Sequence, residues 1–314
     1  MSRMDISPKQ LRTLAAIADH GGVAAAARAG HISQPAVTRT LRDLERRLEV
    51  RLFTRSPSGM TLTAAGEALL GRARRVLAEL AAAEHEISAL RGAARGRLVV
   101  GTLPFMRSSL VPVAVSRFLA EYPKVEVTLV DESYEAMLQR VSSGEIDLIV
   151  GTLRDEPLPP DLRAEVLFRD PLCVFARSGH PLLARRRLAL RDLAGADWIL
   201  PGRNFRQRRQ LERIFADAGL PPPHTSVEAV SLSTIRTLLM ESDRLTVASR
   251  QRFRYEETAG DLRVLPVPLP GTRRPIGIVT RRDALPSPIQ RALVAQLNAL
   301  ARDTGEDRRL PAGS

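Results

Sequence analysis

The sequence predicts an α+β chain of several domains: a small helical head carrying a hairpin, one long connecting helix, and a body of two α/β subdomains. Three observations carry that expectation. Apolar residues recur at helical spacing from Leu11 to Leu48 and are interrupted at glycines; a heptad seam then runs from Leu69 to Leu90; and from Gly96 onward short apolar runs alternate with helical patterns. At 314 residues the chain exceeds one ordinary domain, and a hydrophobic content of 44% is ample for more than one core.

The head begins at Ser7-Pro8-Lys9-Gln10, which reads as a capped helix start: Ser as cap, Pro in the first position, Gln at the capping-box position. Leu11, Leu14, Ile17 and Ala18 follow at helical spacing until Gly21-Gly22 stops the helix. A short alanine-rich helix, 23–29, should end at Gly30 as a left-handed cap. Ser33 is the expected cap of a third helix, and Pro35 is tolerated in its first turn. At about 100° per residue, Val37, Leu41, Leu44 and Leu48 fall on one stripe. Pro35, Thr38, Arg39, Arg42 and Arg46 fall opposite. Two short helices, a tight Gly-containing turn and a third helix with an exposed polar face make a helix-turn-helix, and an Arg-bearing face suits the DNA major groove. Residues 50–55 and 60–62 are short extended runs with a turn at Ser56-Pro57-Ser58-Gly59, a hairpin wing whose Arg51 and Arg55 sit where phosphates or the minor groove are reached.

The long helix is expected from Thr63 to about Arg91. Leu69, Ala73, Val76, Leu80, Ala83, Ile87 and Leu90 form its seam, the pattern of a dimerisation helix. A two-fold dimer would offer two reading helices to half-sites about 34–36 Å apart, or a multiple of that, and so would recognise an interrupted inverted repeat.

In the body, Leu98-Val99-Val100-Gly101, a helix at 110–120, Val125 to Val130, a helix through Met137, Leu138 and Val141 ending at Gly144, and Ile146 to Val150 give a βαβαβ order, hence a parallel, doubly wound sheet. A second set follows: strands at 172–176, 198–200, 227–230 and 245–247, with helices near 207–218 and up to Met240. A last strand, 276–279, and a helix from about Pro288 to Ala301 return to the first set. Two subdomains joined by two crossings make a cleft at the carboxyl ends of their strands, the usual place for a small ligand. Strand ends and helix starts supply the candidate ligand residues Thr102, Leu103, Phe105, Ser133, Asn204, Phe205, Val230 and Ser231. Helix N-termini favour an anion, for which Arg107 and Arg206 are candidate counter-charges. The expected boundaries are 1–66 for the head, 67–95 for the helix and 96–304 for the body. Within the body, subdomain I comprises 97–166 and 269–304, subdomain II comprises 167–268, and 305–314 is an expected disordered tail.

Net charge is +12 and the sequence pI about 11.1, which favours polyanionic partners. Residues 1–96 hold 15 of the 47 basic and 9 of the 35 acidic residues, so under a third of the length carries half of the net charge. Only Lys9 and Lys124 are lysine, and a guanidinium forks onto phosphate or guanine edges better than an ammonium does, although a GC-rich genome alone would favour Arg codons. Other chemistries lack their motifs. The five histidines show no metal-ligand spacing, there is no phosphate loop or dinucleotide glycine motif, and no catalytic constellation stands out. No cofactor or metal is expected. Cys173, the single cysteine, sits in an apolar run as a buried, inert thiol. No apolar run is long enough to span a bilayer, and the N-terminus leads straight into a polar helix, so a cytoplasmic protein is expected.

Ala25-Ala26-Ala27, Ser33-Gln34-Pro35-Ala36-Val37-Thr38, Leu44-Glu45, Leu52-Phe53-Thr54-Arg55 and Leu62-Thr63-Ala64-Ala65-Gly66 form an ordered set over nearly sixty positions. On these residues the stretch from Gln10 to Gly66 resembles the winged helix-turn-helix of LysR-type transcriptional regulators. It departs from the family at Gly21-Gly22-Val23 and at Gly30, neither of which touches the reading face. Phe118, Tyr122-Pro123, Gly144 to Leu148 and Ser178-Gly179-His180-Pro181-Leu182 resemble the effector domain of the same family, whose fold is like periplasmic binding proteins; Glu241-Ser242-Asp243-Arg244 replaces a glycine-rich turn usual there. The resemblance implies a sequence-specific regulator, not an enzyme. It would be a homodimer or tetramer, bind double-stranded DNA, meet RNA polymerase, and answer to a small-molecule effector held between the subdomains. It also implies roles for Ser33, Gln34, Pro35, Ala36, Thr38 and Arg39 at base edges or the adjacent backbone, and for Arg42 and Arg55 at phosphates. Two rival readings predict other behaviour: an enzyme or solute-binding module with a basic head would show turnover or tight ligand binding without specific DNA affinity, and an architectural nucleoid protein would bind DNA without sequence preference, governed by salt.

Overall fold

The computed structural model describes residues 6–56, 59–90, 96–103, 106 and 108–306. In the head, α1 (Pro8–His20) starts on a reciprocal cap: Ser7 Oγ accepts the Gln10 amide while the Gln10 side chain accepts the Ser7 amide. α2 (Val23–Ala29) and α3 (Gln34–Leu48) follow, then β1 (Phe53–Ser56) and β2 (Gly59–Leu62), paired antiparallel from Phe53↔Leu62 to Ser56↔Gly59. Residues 57 and 58 of the expected turn lie outside the described residues. Leu14, Ile17, Ala26, Val37, Leu41, Leu44 and Leu52 pack into one core.

The left-handed cap falls one residue later than the sequence predicts. Gly30 has φ −88°, whereas His31 has φ 49°. The Ile32 amide donates to the Ala27 carbonyl and the His31 amide to that of Arg28, a closure that requires the left-handed residue at His31. α3 closes in the same way on Glu49, φ 56°, with the Val50 amide on the Glu45 carbonyl. A side chain with a Cβ is strained there, so Glu49→Gly is expected to stabilise the head by about 0.5–1 kcal/mol. Slower hydrogen exchange of the α3 amides is the measurement; unchanged or faster exchange counts against it.

α4 (Ala64–Leu90) opens as part of the head and continues along subdomain I. Leu70 and Ala73 are buried in the head core and Leu69 packs against it. At Gly66 the approach is closest, since an added Cβ would lie 2.1 Å from the Leu52 carbonyl oxygen. The expected seam is therefore divided. Leu69 and Ala73 serve the head, because the same stripe that would meet a second copy meets the head first. Val76, Leu80 and Ile87 are 47%, 41% and 55% exposed, and Ala83 is exposed with them. The side chain of Leu90 lies outside the described residues, as do residues 91–95. The expected boundary at 66/67 thus falls inside a continuous helix.

Subdomain I runs through β3 (Gly96–Thr102), α5 (Leu110–Glu121), β4 (Val125–Val130), α6 (Tyr134–Ser143), β5 (Leu148–Thr152) and β6 (Leu162–Asp170). Subdomain II follows with β7 (Leu172–Arg177), β8 (Asp197–Leu200), α7 (Arg206–Asp217), β9 (His224–Glu228), α8 (Leu232–Met240), β10 (Thr246–Ser249), α9 (Arg254–Ala259) and β11 (Leu262–Leu265). The chain returns with β12 (Arg274–Arg281) and α10 (Pro288–Glu306). The first sheet has the order β4-β3-β5-β12-β6, parallel over its first three strands and antiparallel at β12 and β6. α5 and α10 cover one face through Phe118, Leu293 and Leu297, and α6 covers the other through Met137 and Val141. In subdomain II, β10-β7-β11 carries Trp198 and Phe215 on one side and Phe175 and Phe253 on the other.

Three boundaries move. The outward crossing lies at Asp170/Pro171 rather than 166/167, because β6 stays in the first sheet, paired with β12 through Arg274↔Asp170. The return comes after Leu269, whose side chain belongs to the second core. α10 continues to Glu306, past the start expected for the tail; residues 307–314 lie outside the described residues. β6, α9 and β11 were absent from the sequence expectation, and β9 begins and ends earlier than predicted, leaving Val230 beyond it.

α4 is fastened to subdomain I by ion pairs. Arg75 meets Asp161 at 2.7 Å and the Ser142 carbonyl at 2.7 Å, and Arg281 meets Glu79 at 2.9 Å. Arg74 joins three parts of the chain, bonding Asp19 of α1 and, at 2.7 Å, Glu145 beyond α6. Gly144, φ 81°, lets the body backbone come so near that an added Cβ would lie 2.8 Å from the Ala78 methyl. Among the described residues no helix is long and apolar enough to cross a membrane, and no cluster of three or more His, Cys, Asp or Glu could hold a metal ion.

Candidate DNA interface and effector cleft

α3 presents the face that its periodicity predicts. Val37, Leu41 and Leu44 are buried in the head, while Ser33, Gln34, Pro35, Ala36, Arg39, Arg42 and Arg46 are exposed and Thr38 is half-buried. Ser33 stands at the cap position with extended backbone, but its hydroxyl makes no capping bond, contrary to the expectation for a Ser cap. The Thr38 hydroxyl donates to the Gln34 carbonyl at 3.0 Å. Arg46 pairs with Asp43 at 2.6 Å. Arg39, Arg42 and Arg55 have no acidic partner among the described residues, so their charges face solvent from α3 and from the wing.

One buried acid sets the angle between helix and wing. Glu45, 7% exposed, accepts the Leu52 amide at 2.8 Å and the Phe53 amide at 3.5 Å, and takes Arg51 at 3.0 Å. Arg51 is thus partly engaged, unlike Arg55. The hairpin is held from its other side by the Met60 amide on the Gly21 carbonyl at 3.0 Å.

The cleft residues are distributed over both subdomains. Thr102 is buried, and its hydroxyl reaches the Val130 carbonyl at 3.4 Å. The Leu103 amide bonds the Val150 carbonyl, and its side chain lies over Gly151. Phe105 and Arg107 lie outside the described residues. Ser133 caps α6 and Ser231 caps α8, each accepting an amide three residues on. In subdomain II, Asn204 is exposed, Phe205 is 45% exposed and Val230 55%. The two halves meet where Arg206, at the start of α7, pairs with Asp155 beyond β5 at 2.8 Å.

Four further residues at the cleft escaped the sequence reading. Ser108 and Ser109 at the start of α5 and Thr152 at the end of β5 have buried hydroxyl oxygens with no hydrogen-bond partner among the described residues. All three stand at the carboxyl-end side of the parallel strands, where a ligand would supply the missing bonds. The Ser-Ser pair between a strand and a helix was the available signal. Arg274 is the fourth. It pairs with buried Asp170 at 3.1 Å where the chain crosses between subdomains. Burial pulls its guanidinium below the usual value; Asp170 opposes that, and the nearby Arg206 charge adds to it.

Residues 8–67 match the family described as "Bacterial regulatory helix-turn-helix protein, lysR family", and residues 91–302 match "LysR substrate binding domain". The chain belongs to the LysR family of transcriptional regulators. The SDS degradation transcriptional activation protein of a Pseudomonas strain is 34% identical over 314 residues, spanning 98% of each chain. The HTH-type transcriptional regulator GalR of Pseudomonas putida is 38% identical over 264 residues; the match spans 84% of this chain and 66% of that protein. Among solved structures, a full-length OxyR variant from Pseudomonas aeruginosa superposes with TM-score 0.70 at 24% identity, covering 95% of each chain. The LysR family regulator CbnR gives 0.59 at 23% identity, over 94% of this chain and 99% of that one, and shares the fold.

In this regulator of the LysR family, the head therefore presents a polar α3 face with Arg39 and Arg42, and Arg55 on the wing, none with an acidic partner among the described residues. In the body, subdomain I carries buried hydroxyls that have no hydrogen-bond partner among the described residues, and subdomain II carries Phe205 and Arg206. The first arrangement has the charge and the hydrogen-bonding groups that phosphates and base edges call for. The second offers hydroxyl and guanidinium donors.

Proposed function

We propose that the regulator binds an interrupted inverted repeat in double-stranded DNA as a homodimer, or as a pair of dimers, with one α3 in each of two successive major-groove turns. The observation that carries this reading is the exposed face Gln34 to Arg42, with Arg39, Arg42 and Arg55 lacking acidic partners among the described residues. Gln34 suits adenine, Arg39 guanine, and Ala36 or the Thr38 methyl the thymine methyl; Arg42 and Arg55 suit phosphates. CbnR has been solved in complex with its target DNA, and the match to that structure covers 94% of this chain at TM-score 0.58. The seam from Val76 to Ile87 is the dimer contact in this reading. A small anionic molecule in the cleft is the effector, held by the hydroxyls of Ser108, Ser109 and Thr152 and faced by Phe205 and Arg206. It favours one arrangement of the two subdomains over another and so changes the spacing of the heads, a shift of populations that requires differential affinity. The work is done on cytoplasmic DNA, with RNA polymerase as the further partner.

A mobility shift on the DNA upstream of its own gene, against a scrambled competitor at two salt concentrations, tests this. Preference for the unscrambled fragment at both salts is expected. Arg39→Ala is expected to lower the specific affinity by roughly 1–3 kcal/mol, about ten- to a hundredfold, with the fold intact. Equal binding to both fragments, or full specific affinity in Arg39→Ala, removes the reading.

A further inference from the structure

The side of α4 that turns away from its exposed seam closes over a cavity in the body. At about 100° per residue, Ala78, Ala81 and Ala82 share one face, roughly opposite Val76, Leu80 and Ile87. These alanines roof a cavity of 590 Å³ with Leu98, Ile278 and Val294 among its other walls. Small-molecule pockets commonly hold roughly 300–1,000 Å³. The ion pairs Arg75–Asp161 and Arg281–Glu79, with the Ala78–Gly144 approach, fix the helix above the body, so the space is spanned by small side chains rather than filled by large ones.

The charges around it are unequal. Of its lining acids, Asp147 accepts the Val99 amide and Glu145 is held by Arg74 and Arg140. Of its lining cations, Arg281 is paired with Glu79. Arg97, Arg163 and Arg291 also line it and have no acidic partner among the described residues. Arg97 and Arg163 each donate through Nε to a threonine hydroxyl, at 3.2 and 3.3 Å, and Arg291 donates through one terminal nitrogen to the Pro286 carbonyl. Glu165 is the remaining carboxylate of the lining.

We propose that this cavity is a second ligand site, separate from the cleft, that takes an amphipathic organic anion: a carboxylate or sulfonate on an apolar ring or short chain. The methyl groups of α4 and the sheet receive the apolar part, and the arginines at the rim receive the anion. Its occupant lies against the back of the helix whose front carries the seam, so occupancy bears on where α4 sits.

The fluorescent sulfonate 1-anilinonaphthalene-8-sulfonate is a direct probe for the full-length protein. Enhanced, blue-shifted emission saturating at one dye per chain is expected. Arg163→Gln, at an exposed position that leaves the fold intact, should weaken the dye about tenfold through loss of one charge-assisted contact. Ala82→Trp should weaken it at least as much by filling the space, and the uncharged analogue N-phenyl-1-naphthylamine should bind at least tenfold more weakly than the sulfonate. Phe205→Ala, in the cleft, should leave dye affinity unchanged. Unchanged affinity in both cavity variants, equal binding of the uncharged dye, or a loss seen in Phe205→Ala and not in Arg163→Gln overturns the proposal.

Discussion

Glu45→Ala is expected to loosen the head by about 3 kcal/mol and to abolish specific DNA binding at concentrations where the unmodified protein is saturated. The carboxylate accepts two amides, those of Leu52 and Phe53, in a region where both residues are buried. Alanine offers no acceptor, and a buried amide left without one costs about 1–3 kcal/mol. Because these two amides begin the wing, their release frees the hairpin from α3 before the rest of the head melts. Trp198 lies in the body, so tryptophan fluorescence does not report on the head. Hydrogen exchange of peptides covering 49–62 does, and protection there should fall by about two orders of magnitude. Glu45→Gln is the informative companion, since it keeps an acceptor oxygen and discards the charge that meets Arg51. A loss less than half as large is expected for it. Equal losses in the two variants would show that charge, not the bonds to the wing, is what matters; no loss in either would dismiss the role.

The periodic part of the head was legible because a helix declares its buried face every three or four residues: Val37, Leu41 and Leu44 name the core side, which leaves Gln34 to Arg42 outside. The capping box at Ser7 and Gln10 was legible for the same reason, being local. What Glu45 does was not, although the residue stood inside a quoted motif, because its partners lie seven and eight positions away on another element. β6 was missed because only Leu162, Phe168 and Asp170 along it are buried, the pattern of a strand at a sheet edge with charged residues outward. β11 was missed because its four residues follow a polar helix and become a strand only by pairing with β7. The cleft was legible in its location and in little else. Thr102, Ser133 and Ser231 were sensible candidates by position, yet each hydroxyl already has a structural bond. Ser108, Ser109 and Thr152 stand out only once the fold shows their hydroxyls buried and without partners among the described residues.

The α4 seam shows the limit of reading a period. Seven residues at heptad spacing state that one face of the helix is covered, not by what. The fold divides them: Ala73 is 1% exposed within the head, whereas Val76, Leu80 and Ile87 lie open. A charge should therefore act differently at the two ends. Leu80→Asp with Ile87→Asp is expected to weaken dimerisation about a thousandfold, about 4 kcal/mol, because each chain then brings two carboxylates into an apolar contact. Sedimentation should show single copies at concentrations where the unmodified protein is dimeric, with head exchange protection unchanged and operator affinity reduced because two half-sites no longer bind together. Ala73→Asp should instead collapse head protection while the exposed half of the seam keeps its composition. An unchanged sedimentation profile for the double variant would mean that the open half of α4 meets no second copy. If head protection also fell in that variant, residues 80 and 87 would belong to the head's stability, against their exposure, and the division of the helix would be wrong.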